Sequence, residues 1–134
     1  MNPFVAFDLD DTLYKEIDFV KSAHNHIAHI LSKKYEQYHN DIVTILDKNR
    51  NPFDLLCDFI KSIGGNEDIS WLLKEYRYHT PILTLDPIVE SYLIKLHNSD
   101  IPMGIITDGR VSSQSNKIKV LGLHKYIPKK NIII

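Results

Sequence analysis

Two aspartates stand two positions apart near the start of the chain, in Phe7-Asp8-Leu9-Asp10-Asp11-Thr12-Leu13. They follow Phe4-Val5-Ala6-Phe7, a short apolar run that reads as a strand. Alternation along a strand sends residues i and i+2 to the same side, so Asp8 and Asp10 are expected to share one. Two carboxylates held together repel, and one tends to keep a proton unless a cation joins them. A hard divalent cation answers this, and magnesium needs few protein oxygens because it keeps waters. Two aspartates alone serve equally well to begin a turn or cap a helix. The complete run, an apolar strand closing on Asp-x-Asp-x-Thr, is more specific.

A second polar turn follows a second apolar run. Ile101–Ile106 reads as a buried strand entered through Pro102, and it closes on Thr107-Asp108-Gly109. A third apolar run, Asn131-Ile132-Ile133-Ile134, begins another strand after Pro128 and two lysines.

These turns need elements to position them. From about Lys15 to Thr84 the chain reads as helical, with Ile17, Val20, His24, Ile27 and Leu31 as the first apolar stripe. A second helical segment runs through Ile42, Ile45 and Leu46. In a third, Asn51 reads as the N-cap and Pro52 as the first helical residue, with Gly64-Gly65 as the stop. Ser70 to Tyr78 forms a fourth. Asp86-Pro87 repeats the cap-then-proline signal and opens a helix through Val89, Leu93 and Leu96. Ser112 or Ser113 caps the next helix, which stops at Gly122. Strands separated by helices imply right-handed crossovers and a parallel sheet. The first strand, without polar alternation, is expected to be buried on both faces.

Composition sets further bounds. The 134 residues are 43% hydrophobic and 25% charged, with a net charge of −1, as in soluble globular proteins. That balance argues against a broad electrostatic footprint for nucleic acid or an anionic membrane. No apolar run is long enough to cross a bilayer, and the N-terminus lacks the order of a signal peptide. A lone cysteine, Cys57, cannot form an internal disulfide, so a reducing, cytoplasmic setting is expected.

Together the two turns resemble the haloacid dehalogenase (HAD) superfamily of hydrolases. Residues 7–13 resemble its first signature, and Ile105-Ile106-Thr107-Asp108-Gly109 resembles its second. Gln114, Lys117 and Leu121-Gly122-Leu123 match what usually follows. The resemblance implies an α/β fold: a HAD-type Rossmann-like parallel core over residues 1–14 and 85–134, with a helical cap inserted over 15–84. It implies that Asp8 is the nucleophile and a ligand of Mg2+. Asp10 would be general acid and then base, and would ligate the metal through its backbone carbonyl. Thr107 and the amides of Asp108 and Gly109 would hold phosphate oxygens, and Thr12 would shape the turn. The implied activity is a Mg2+-dependent phosphatase acting on a small phosphorylated metabolite through an aspartyl-phosphate. Relatives that cleave carbon–halogen bonds usually lack the second aspartate, so Asp10 favours phosphatase over dehalogenase chemistry and leaves phosphomutase chemistry open.

The family also uses a later lysine and an acidic pair that normally lie beyond the position of Ile134. The core is accordingly expected to be C-terminally shortened to about three strands, with an exposed sheet edge through which the chain self-associates. An inactive module that keeps a phosphate, metal or assembly role is the alternative. Lys117 reads as structural or solvated. His24, His26 and His29 do not converge on a helix and are read as surface or interface residues. Cys57 and Trp71 read as packing residues, Tyr14 as a border of the substrate site, and Arg110 as a contact for an anionic group.

Overall fold

A computed structural model describes residues 3–134. The chain divides into two compact units. One comprises the residues up to Phe19 together with Thr80–Ile134, and the other is Val20–His79.

The first unit is built on a parallel sheet of β1 (Val5–Phe7), β2 (Met103–Ile106) and β3 (Ile132–Ile133), in the order β1-β2-β3. Val5 pairs with Met103 and Phe7 with Ile105, while Ile105 faces Ile132. Two helices, α5 (Pro87–Asn98) and α6 (Val111–Val120), supply the crossovers that parallel pairing requires. Gly104 sits where the backbone is closest. A Cβ there would meet the Asn131 carbonyl at 2.8 Å and the Phe4 ring at 2.9 Å, so only glycine fits. The core of this unit gathers Leu9, Leu13, Leu93, Met103, Ile105, Ile118, Leu123 and Ile127. The α/β architecture with parallel strands is the one that the strand–helix alternation implied. β1 differs from expectation, however. Ala6 is exposed and Val5 and Phe7 are only half-buried. Among the described residues β1 pairs only with β2, which leaves one edge and part of its faces uncovered.

Helix starts follow the chemistry of their first residues, with corrections. Asp86 caps α5 by accepting the Ile88 N–H at 2.8 Å, and Pro87 occupies the first turn. α6 begins earlier than the serines suggested. Its N-cap is Arg110 and no side chain caps it, so Ser112 and Ser113 lie inside the helix. Gly122 ends it in the left-handed region at φ 69°.

The second unit holds most of α1 (Glu16–Lys34) with α2 (His39–Lys48), α3 (Phe53–Ser62) and α4 (Ile69–Tyr78). Ile27, Leu31, Ile42, Leu46, Leu56, Ile60 and Leu72 form one buried cluster. Trp71 packs against this cluster and Cys57 lies half-buried at its margin. The buried stripe of α1 is Phe19, Ala23, Ile27 and Leu31; Ile17 is exposed, because the helix presents a face turned away from it. Pro52, not Asn51, is the N-cap of α3, and Asp68 caps α4 by accepting the Trp71 N–H at 2.9 Å. A bracing triad ties loop to helix: Glu67 accepts from Lys34 Nζ at 2.6 Å and from the Tyr35 hydroxyl at 2.7 Å.

Candidate active site

The site lies at the carboxyl end of the first unit's sheet, where open α/β folds place ligands. After β1 the chain turns sharply. The Leu9 carbonyl accepts the N–H of Thr12 at 3.3 Å and of Leu13 at 3.0 Å. Asp11 takes the left-handed conformation at φ 58°, which aspartate tolerates better than most residues. Its carboxylate accepts the Glu16 N–H at 2.9 Å and so fastens the start of α1. With Leu9 and Leu13 buried beneath, the turn holds Asp8, Asp10 and Thr12 above the core.

Asp8 is exposed, and one of its carboxylate oxygens accepts the Leu9 N–H at 2.7 Å. Asp10 is enclosed. Its Oδ1 accepts from the Tyr14 hydroxyl and from Lys117 Nζ, the latter at 3.0 Å. Its Oδ2 accepts from Gln114 Nε2 at 2.9 Å. Burial pushes the Asp10 carboxyl upward, but the bonds from Tyr14, Gln114 and Lys117, with the lysine charge, outweigh it. The net shift is below the ordinary 3.8. Asp10 is therefore held ionised. The same burial and the same carboxylate push the Tyr14 hydroxyl up, so it remains a donor.

Lys117 is buried, with its Nζ 4.4 Å from the centroid of the Phe19 ring. It is an internal counter-ion rather than a solvated side chain, which corrects half of the sequence reading. Gln114 is equally buried and donates a second bond, to Thr107 Oγ1 at 2.8 Å. Residues from the two signature turns are thus joined through one amide. Thr107 is buried, whereas Asp108, Gly109 and Arg110 form the exposed turn leading into α6. Gly109 has φ 135°, and a Cβ there would meet Gln114 at 3.1 Å. An exposed turn opening the N-terminus of a helix suits an anion.

Sequence reasoning placed Asp8, Asp10, Thr107, Asp108 and Gly109 but passed over Gln114 and Lys117. A signal was present. With Ile118 and Leu121 they occupy i, i+3, i+4 and i+7 of α6, the core-facing stripe, where two polar residues need a partner. A magnesium ion would find the exposed carboxylate of Asp8 and the backbone carbonyl of Asp10, which suit a hard cation that keeps much of its water. The Asp10 side chain itself is already engaged by three donors. Among the described residues no group of three or more His, Cys, Asp or Glu is placed to hold a metal. A hollow beside the turn is walled by Asp11, Asp18 and Asp86 with Lys15, an acidic lining ill suited to phosphate.

In the helical unit the three histidines do not gather. His24 packs against Phe53 and Tyr76, and His26 meets Glu75 at 2.8 Å. His79, buried, contacts Ser22 Oγ at 3.1 Å and the Tyr76 carbonyl at 2.7 Å. Among the described residues no helix is long and apolar enough to cross a membrane.

Comparison with known proteins agrees with this geometry. The glyceraldehyde 3-phosphate phosphatase of Methanocaldococcus jannaschii is 27% identical over 132 residues, 91% of this chain. The chain spans 58% of the length of that curated relative. A β-phosphoglucomutase-like protein from Thermotoga maritima superposes with a TM-score of 0.58 at 18% identity, covering 98% of this chain and 60% of that one. A haloacid dehalogenase-like hydrolase from Xanthomonas campestris gives 0.54 at 20%, covering 98% and 61%. These structural likenesses establish the Rossmann-like α/β fold. The model of the family described as haloacid dehalogenase-like hydrolase matches residues 5–131. With nearly its whole length matched, the chain belongs to the haloacid dehalogenase-like hydrolase family.

Proposed function

We propose that this chain carries the nucleophile half of a Mg2+-dependent phosphatase site acting on a small phosphomonoester. The observation that supports this reading best is the joining of Asp10 to Thr107 through Gln114, which links an acidic turn to a hydroxyl at the mouth of a helix. The phosphatase relative is in keeping with it. A cytoplasmic setting accords with the lone, half-buried Cys57.

In this reading an Asp8 carboxylate oxygen attacks phosphorus as the bond to the leaving oxygen breaks, giving an aspartyl-phosphate. The leaving oxygen takes a proton from Asp10. Water then attacks phosphorus and returns a proton to Asp10, and inorganic phosphate departs from a regenerated Asp8. Thr107 and the amides of Asp108 and Gly109 hold the phosphoryl oxygens, on which the transition-state charge is spread. A bound magnesium ion supplies charge that offsets the repulsion between nucleophile and substrate. Because Asp10 rests ionised, it must gain a proton before the first step, whereas it is ready for the second.

Phosphate release from a panel of small phosphomonoesters, glyceraldehyde 3-phosphate among them, tests this with and without magnesium. Turnover is expected only with the metal, and Asp8→Asn is expected to abolish it. Release that persists in that variant would refute the nucleophile assignment. Transfer between two positions of a sugar phosphate would instead favour mutase chemistry, to which the Thermotoga maritima likeness lends only a fold. A second reading rests on the engaged state of the Asp10 carboxylate and the lack of a three-ligand group among the described residues: a module that binds phosphate without turnover. Phosphate binding with no release under any condition would select it.

A further inference from the structure

We propose that Gln114 is a positioning residue that fixes the direction of the Thr107 hydroxyl and so makes it a donor to phosphate. The inference deepens the phosphatase reading and rests on it for the identity of the ligand. The geometry is internal to the first unit. Gln114 Nε2 lies 2.9 Å from Asp10 Oδ2 and 2.8 Å from Thr107 Oγ1, and the side chain is 2% exposed.

Chemistry assigns the donors. An ionised carboxylate only accepts, so the group of Gln114 that faces Asp10 is the NH2 end. Its two hydrogens then serve the two partners, one each. Thr107 Oγ1 must accept, which uses a lone pair and turns its own hydrogen away from Gln114. That hydrogen rests on the Asp108 carbonyl at 3.4 Å, a long and weak bond that an anion would readily replace. A phosphoryl oxygen at the Asp108–Gly109 turn would therefore meet a hydroxyl already committed to donate. Without Gln114, the hydroxyl could turn its hydrogen toward Asp10 and present a lone pair to the phosphate.

Two neighbours hold the glutamine itself. Gly109 packs against it, and the φ of 135° at that glycine excludes a side chain from the space that the amide occupies. Lys117 and Tyr14 anchor the other carboxylate oxygen of Asp10, so the acceptor on the far side cannot drift. The lysine, the tyrosine and the glutamine thus act on Thr107 through one carboxylate.

The experiment is a double-mutant cycle on the affinity for inorganic phosphate in the presence of magnesium, with Gln114→Met, Thr107→Val and the pair. Gln114→Met keeps the volume and removes both donors. We expect each single change to weaken phosphate binding about tenfold, the worth of one buried hydrogen bond to a charged group. The double variant should lose no more than Thr107→Val alone, because the glutamine acts through the hydroxyl. Losses that simply add, or a Gln114→Met variant that binds as the unaltered chain does, would overturn the proposal and leave the phosphatase reading standing. If the unaltered chain binds no phosphate, the phosphatase reading fails. Exchange of the Gln114 side-chain amide protons, followed by NMR, then decides the inference on its own. Slow exchange that quickens in both Thr107→Val and Asp10→Ala supports the bridge, and fast exchange in the unaltered chain overturns it.

Discussion

Asp10 is the residue on which most of the polar site converges, and Lys117 is its charged partner. The lysine is fully covered while the carboxylate keeps limited contact with water. Replacing it by methionine preserves the stem and removes the charge, so Lys117→Met should cost about 1.5–3 kcal/mol, the range for a hydrogen bond to a charged group. The pH dependence has a definite sign. The folded pKa of Asp10 lies below its ordinary 3.8, so its contribution is present above that value and lost as pH falls through the folded one. In Lys117→Met the Asp10 pKa rises, and the acid loss of stability becomes shallower. Urea midpoints at pH 3 and pH 7 measure both effects; an equal drop in the two proteins would mean that the pair is not coupled to folding. At this scale the sequence was legible where a residue stood in a short motif. Asp8, Asp10 and Thr107 could be picked out because each ends an apolar run. Lys117 and Gln114 could not be given roles, since their meaning depends on Asp10, more than a hundred positions away. No local pattern names a partner so distant.

Elements were legible where punctuation was local and unambiguous. Asp86-Pro87 announced α5, and the Asp86 carboxylate does cap it. Asp86→Ala should lower stability by about 1 kcal/mol, visible as a fall in Tm, with an unchanged helix content by circular dichroism. The serines before α6 misled because a better start was available one turn earlier, where Arg110 is extended and needs no side-chain cap to begin the helix. In α1 the true stripe runs through Phe19 and Ala23 rather than Ile17, since a choice among several apolar residues is made by packing and not by spacing alone. The α4 terminus carries a condition of its own. Burial foremost holds the His79 pKa below its ordinary 6.5, with His26 adding to the effect and the Tyr76 carbonyl and Glu75 opposing it. The unfolded chain therefore takes up a proton first as pH falls, and stability is lost below about 6.5. His24 shifts in the same direction and adds to the loss. Thermal melts at pH 7 and pH 5 should differ, and His79→Gln should narrow the difference; an unchanged gap would exclude His79 as its source.

At the scale of the whole molecule, the parallel sheet was legible from the order of strands and helices, but not the exposure of its first strand. Apolar residues on β1 suggested cover on both faces, whereas cover depends on neighbours that no strand specifies by itself. A strand with an open edge is a template for pairing. We predict self-association of this 134-residue chain that grows with concentration and is reduced by Ala6→Lys, whose side chain would stand at an exposed position of β1. Sedimentation velocity across a concentration series checks this, and a chain that stays monomeric throughout would refute it. The pairing of β1 with β2 also has a consequence in time. Val5 must wait for Met103, about a hundred residues later, while Val20–His79 is one unbroken segment. On the ribosome, the helices can therefore gather before the first strand has anything to join. The earliest residues to emerge are among the last to find their place, and a nascent chain is most vulnerable to a chaperone-free delay during that interval.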